Sequence, residues 1–133
     1  MTTNLRELSG TFYLRLALGL MFLVHGFNKL NALFAGSPQP MGMFQNFFGA
    51  LGPFMAWAVA LIEFFGGIFL ILGLFTWTSS FLLAAIMAGA IVLVNIGNWA
   101  GITQHLVFIA GLVAVMRSRD RDCSLDKKFK LKF

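Results

Sequence analysis

The sequence has a single cysteine, Cys123, and few charges of either sign. One cysteine rules out an internal disulfide, a dithiol redox pair and a cysteine-rich metal centre, so any electron chemistry has to run through a bound cofactor or a partner. Only 11% of the 133 residues are charged, too few for a water-soluble domain of this length to cover its surface. There is no phosphate-cradling glycine loop, dinucleotide fingerprint, catalytic serine motif or clustered Cys/His signature. What the chain has in quantity is hydrocarbon: 59% of it is hydrophobic.

Those apolar residues fall into four runs. The first is predicted to span residues 11–30, long enough at about 1.5 Å per residue to cross a hydrocarbon layer of about 30 Å. Only helices and closed barrels satisfy their backbone in lipid, so each run is read as a helix. Pro38 and Pro40 interrupt the chain in a polar, turn-rich stretch over residues 31–42. The following segment, residues 43–52, is too short to span and carries Phe44, Phe47, Phe48 and Leu51, which suits a helix lying in the interface or folded over the bundle mouth. The later spans are predicted at residues 54–75, 79–96 and 102–116, joined by tight turns that make consecutive helices antiparallel neighbours. The expected fold is therefore all-α: one domain over residues 1–133, an integral membrane four-helix bundle with a short interfacial helix between spans 1 and 2.

The formal net charge is +5, which in a soluble protein would raise the question of nucleic acid. Here eight of the ten basic residues flank the apolar region: Arg6, Arg117, Arg119, Arg121, Lys127, Lys128, Lys130 and Lys132. They report topology, and no folded nucleic-acid-reading module accompanies them. The inter-span loops facing the other way carry almost no Lys or Arg, so both termini, including the basic tail over residues 117–133, are expected in the cytoplasm. The first apolar run is too long for a signal peptide and no small-residue cleavage site follows it, so it is expected to stay as the first span. Trp77 and Trp99 fall near opposite membrane boundaries, and Gly66 with Gly67, Ala85 with Gly89, and Ala110 with Ala114 offer small faces for helix packing.

Charged and polar residues inside the spans are the candidates for function. Arg15, His25 and Lys29 lie within about 80° of one another around the first helix, at about 100° per residue, and that shared face should turn away from lipid. Glu63 sits near the middle of the second span, where an unpaired carboxylate costs several kcal/mol, on the order of the burial penalty for any charge. Asn95 and Asn98 end the third span, and Gln104 and His105 begin the fourth. His25, Lys29, Glu63, Asn95 and His105 are thus expected to share a polar pocket in the outer half of the bundle, open outward and lidded by the Phe-rich segment. Glu63 and His25 are the candidate catalytic proton carriers; Arg15, Lys29, Asn95 and His105 are the candidate ligand-binding residues.

Two kinds of reading stay open for these residues. Imidazole beside carboxylate suits proton exchange with a quinone headgroup. Haem ligation by His25 and His105, or a metal held by both with Glu63, is a less favoured reading, and no metal site is assigned. On the structural side, Lys29 and Arg15 can snorkel to the headgroups, Glu63 can form a structural ion pair, and the asparagines and His105 can join helices by hydrogen bonds.

The run RLALGLMFLVHGFNKL (Arg15 to Leu30), the segment FQNFFGALG before Pro53, ALIEFFGGIFLILGLFTW (Ala60 to Trp77), the stretch NWAG and the tail SLD (Ser124 to Asp126) together resemble the DoxX family of small four-span bacterial membrane proteins. The resemblance implies a four-helix bundle in a bacterial inner membrane and an association with membrane redox work, some relatives being subunits of a thiosulfate:quinone oxidoreductase. It places Arg15, His25, Lys29 and Glu63 on the family's polar positions. Where many relatives carry an acidic residue at the start of the fourth span, this chain has Gln104 and His105. The expected function is a membrane redox component that holds a quinone-type ligand and works with a partner subunit or a second copy among membrane lipids. The alternative is a non-enzymatic scaffold whose buried charges specify helix pairing and whose basic tail meets a partner or anionic lipid. Transport is less favoured, because one short bundle lacks the duplicated halves of most carriers.

Overall fold

Apolar runs that must satisfy their own backbone become helices, and the computed structural model, which describes residues 10–93, 97–118 and 124–130, bears this out. The elements are α1 (Gly10–Phe34), α2 (Pro38–Phe48), a 3₁₀ turn (Gly49–Leu51), α3 (Gly52–Leu72), α4 (Thr76–Leu93), α5 (Trp99–Arg117) and a short α6 (Leu125–Lys128). Four helical stretches are long and apolar enough to cross a membrane: Gly10–Phe34, Met41–Leu72, Thr76–Leu93 and Trp99–Arg117.

The element boundaries differ from the sequence reading where local chemistry decides them. Helix α1 continues to Phe34, and the polar stretch expected over residues 31–42 shrinks to a turn, because Pro38 opens α2 instead of blocking a helix. At a first helical position the missing proline N–H has no intrahelical partner to lose. Helix α3 stops at Leu72, short of the expected Phe75. Gly73 there adopts a left-handed conformation (φ 67°), and Gly73 N–H and Leu74 N–H donate back to Leu70 and Phe69 carbonyls, the reciprocal pair that closes a helix C-terminus. Asn98 caps α5, its side-chain oxygen accepting from Gly101 N–H.

Helix α1 packs most closely on α3, because glycine lets their backbones touch. A Cβ on Gly26 would collide with the Phe64 backbone nitrogen, and one on Gly19 would lie 2.9 Å from the Gly67 carbonyl oxygen. This is the close approach that small residues permit in membrane bundles. Helices α4 and α5 pair, α3 and α4 are joined by a tight turn, and α5 returns against α1. The core nearer the termini is Leu18, Phe22, Leu70, Leu83, Met87, Leu112 and Val115. At the opposite end Leu33, Ala56 and Ala60 pack with Trp57 and Phe44. Gly66 meets Leu83 and Gly67 meets Leu23, as their spacing suggested. The other small-residue faces do not pack within this chain: a Cβ on Gly89 would meet nothing within 4 Å, and Ala85, Ala110 and Ala114 are exposed. Ala85 and Gly89 instead line a cavity of the bundle. Trp77 and Trp99 are both exposed, at opposite ends of the bundle.

The tail returns to the bundle. Asp126, fully buried, accepts from Phe75 N–H at 2.7 Å and Thr76 N–H at 2.8 Å, while its own N–H donates to the Gly73 carbonyl at 2.9 Å. A remote carboxylate thus fills the role of N-cap for α4, where unsatisfied amides and the helix dipole favour negative charge. The same bonds hold Phe75 in its positive-φ conformation (φ 48°), one that L-residues adopt only at a cost.

Candidate functional site

The end of the bundle away from the termini holds a partly open cavity of about 500 Å³. Its walls come from α1, α3, α4 and α5, and α2 lies across it, contributing Met43, Phe44, Phe47 and Phe48. The Phe-rich segment therefore lines one side of the cavity, with Phe44 and Phe48 stacked at 6.2 Å. The Cβ-free Gly52 lets this segment fold back, since a Cβ there would lie 2.5 Å from Gln45 Cα.

Most of the lining is Met, Phe and aliphatic side chain, and the polar exceptions are His25 and Lys29 from α1, Glu63 from α3, and Gln104 and His105 from α5. Lys29 Nζ donates to Glu63 Oε1 at 2.7 Å. Glu63 is 1% exposed and its other oxygen, Oε2, is buried with no hydrogen-bond partner among the described residues. Taking a carboxylate this far from water is costly, and the lysine offsets only part of that cost.

The two histidines are held alike. His25 Nδ1 lies 2.8 Å from the Met21 carbonyl and His105 Nδ1 lies 2.6 Å from the Gly101 carbonyl, each one turn back along its own helix. Their relative level follows from a ring contact, Phe22 on α1 meeting Phe108 on α5 edge to face at 6.3 Å. His25 is three residues beyond Phe22 and His105 three before Phe108 on an antiparallel helix. Both therefore sit about 4.5 Å, at about 1.5 Å per residue, from that ring pair toward α2.

Of the residues proposed from sequence, the structure brings His25, Lys29, Glu63 and His105 to one cavity. Asn95 lies outside the described residues. Arg15 is not brought there. It lies about 21 Å from Lys29 along α1, at about 1.5 Å per residue, so sharing a helical face did not mean sharing a site. It is buried at the opposite end, with its guanidinium 5.5 Å above the Phe12 ring and beside Gly73. Sequence reasoning passed over the aromatic pair Phe22 and Phe108, whose pattern resembles any core, and the anchoring role of Asp126. An acidic residue directly before Lys127 and Lys128 was the available signal for the latter. No group of three or more His, Cys, Asp or Glu among the described residues is placed to hold a metal ion.

Comparison with known proteins bears on the same residues. The model of the DoxX family matches residues 10–96, which include His25, Lys29 and Glu63 and stop short of α5. The chain is 37% identical over 89 residues to the Bacillus subtilis (strain 168) protein named "Putative oxidoreductase CatD", the match covering 65% of this chain and 60% of that one. No solved structure matches. With four membrane-length helices and a family match across most of its length, the chain belongs to the DoxX family.

Proposed function

We propose that this DoxX-family membrane protein is a redox component that holds a quinone-type headgroup in the cavity lined on one side by α2. The observation that carries the reading is the Lys29–Glu63 pair at 2.7 Å, together with two histidines, in a chamber otherwise lined by aromatic and thioether side chains. Ligand sites of this kind combine apolar walls with a few convergent polar groups, and about 500 Å³ is within the usual range. Flat rings suit the Phe and Met lining. The similarity to a protein named as an oxidoreductase supports the same class of work.

A quinone supplies a two-electron, two-proton acceptor. The chain's own residues then divide the remaining tasks. Lys29 fixes charge at the headgroup while holding Glu63 Oε1 at 2.7 Å. His25 and Glu63 exchange protons at the ring oxygens, with His105 and Gln104 completing the polar contacts. The electrons come from a partner subunit, because the single cysteine offers no dithiol. The basic residues flanking the spans support a location in a bacterial inner membrane with both termini cytoplasmic, which would put the cavity in the outer half.

A second reading is favoured by the burial of Glu63, which would make its ion pair a device for specifying the α1–α3 pairing in a non-enzymatic scaffold. Glu63→Gln separates the two. The redox reading expects a folded protein that loses activity and bound quinone, while a scaffold loses assembly with its partner. Lipid extraction of the purified protein that recovers no quinone, with a stoichiometric partner in its place, would decide for the scaffold.

A further inference from the structure

Between α3 and α4 runs a furrow of about 230 Å³. Its rims are Leu61, Phe65 and Leu82, each between 40% and 49% exposed, and its floor is Gly66 and Ser79, both buried. Glycine and serine present little side chain, so the surface sinks between their larger neighbours. The furrow is continuous with the cavity, because Ile62 and Leu82 line both. From Ile62 it follows α3 to Phe69, about 10.5 Å of helix at 1.5 Å per residue, toward the α3–α4 turn. Glu63 directly follows the shared Ile62, and its Oε2 is buried with no hydrogen-bond partner among the described residues. A polar group held at that carboxylate therefore stands where the furrow begins.

From this continuity we infer that the cavity takes a two-part amphiphile, whose polar head meets the Lys29–Glu63 pair and whose hydrocarbon tail leaves between Ile62 and Leu82 to lie in the furrow. The inference rests on the proposed function and deepens it, by assigning the ligand a tail and a sideways route. An α-helix is about 10–12 Å across with its side chains, too broad for a furrow of this volume, whereas a single hydrocarbon chain fits. Apart from Ser79 the furrow walls are apolar. A polar head gains no partner there, so head and tail sort to opposite ends of the continuous space. Both flanking helices are long and apolar enough to span a membrane, which turns the exposed rims toward acyl chains. The ligand then reaches the cavity from within the bilayer, with no passage through water. Lipid is as apolar as the tail, so the furrow contributes packing and alignment and little net affinity. Its work is to hold the head in register with Glu63.

The test is photolabelling of the full-length protein in phosphatidylcholine nanodiscs with a decylubiquinone analogue that carries a diazirine at the end of its tail, followed by peptide mass spectrometry. Label is expected on Leu61, Phe65 and Phe69. An excess of the tail-free dimethoxy-methylbenzoquinone should abolish it, because the displaced head no longer anchors the tail. Leu82→Trp narrows the junction at a position that is 41% exposed. It should weaken decylubiquinone binding about ten-fold, the scale of one overpacked contact, and change tail-free quinone binding by less than about two-fold. Retained binding of the tail-free quinone shows that the variant has folded, and the labelling of wild type needs no variant. Label confined to residues outside the furrow, furrow label that excess headgroup leaves in place as it would for any bilayer lipid, or equal weakening of both ligands would overturn the inference and leave the proposed function standing. Saturable binding of neither quinone refutes the proposed function and the inference with it.

Discussion

Lys29 on α1 and Glu63 on α3 form an ion pair of unequal exposure: the lysine side chain keeps 32% of its surface accessible, the carboxylate 1%. The two partners should therefore not be equally replaceable. Lys29→Met strands a buried carboxylate and is expected to cost roughly 3–5 kcal/mol, the usual penalty for breaking a buried pair from one side. Glu63→Gln leaves a lysine that can extend toward water and should cost about 1 kcal/mol. The double variant should regain most of the loss. Unfolding midpoints of the purified proteins in detergent check the order, and a Lys29→Met variant as stable as wild type would contradict it.

Glycines on the two halves of the bundle should respond oppositely to alanine. At Gly26 the added methyl group meets α3 backbone, which cannot move aside as a side chain can, so Gly26→Ala should destabilise by about 1–3 kcal/mol. Gly89→Ala places its methyl in open space inside a helix and should be neutral or stabilising by up to about 1 kcal/mol. The same unfolding assay reads both.

Asp126 joins the tail to the turn between α3 and α4 through two accepted amide bonds and one donated. Asp126→Ala removes a helix cap and two charge-assisted hydrogen bonds, which predicts a loss of about 2 kcal/mol or more. It should also release the segment around Lys127 and Lys128, seen as faster trypsin cleavage there in otherwise folded protein. Unchanged cleavage would mean that other contacts hold the tail.

Phe44 and Phe48 stack beside the cavity from α2. Replacing either by alanine opens that side and removes an aromatic surface worth about 0.5–1.5 kcal/mol. On the proposed function, a quinone-type ligand should bind up to about ten-fold more weakly, mainly through faster dissociation. Stopped-flow release of a bound short-chain quinone measures it.

Hydropathy and charge alone determined the number of spans and the face of α1 that carries His25 and Lys29, because lipid leaves a helix no other way to bury its backbone and no cheap way to expose a charge. The partner of that face is a different kind of fact. Whether Glu63 would meet Lys29 depends on the α1–α3 contact through Gly19, Gly26 and Gly67, a tertiary event that joins Lys29 to a residue 34 positions away. The burial of Asp126 likewise depends on a tail folding back against the α3–α4 turn. Periodicity fixes directions around one helix; only packing decides which helix stands opposite and what lies between.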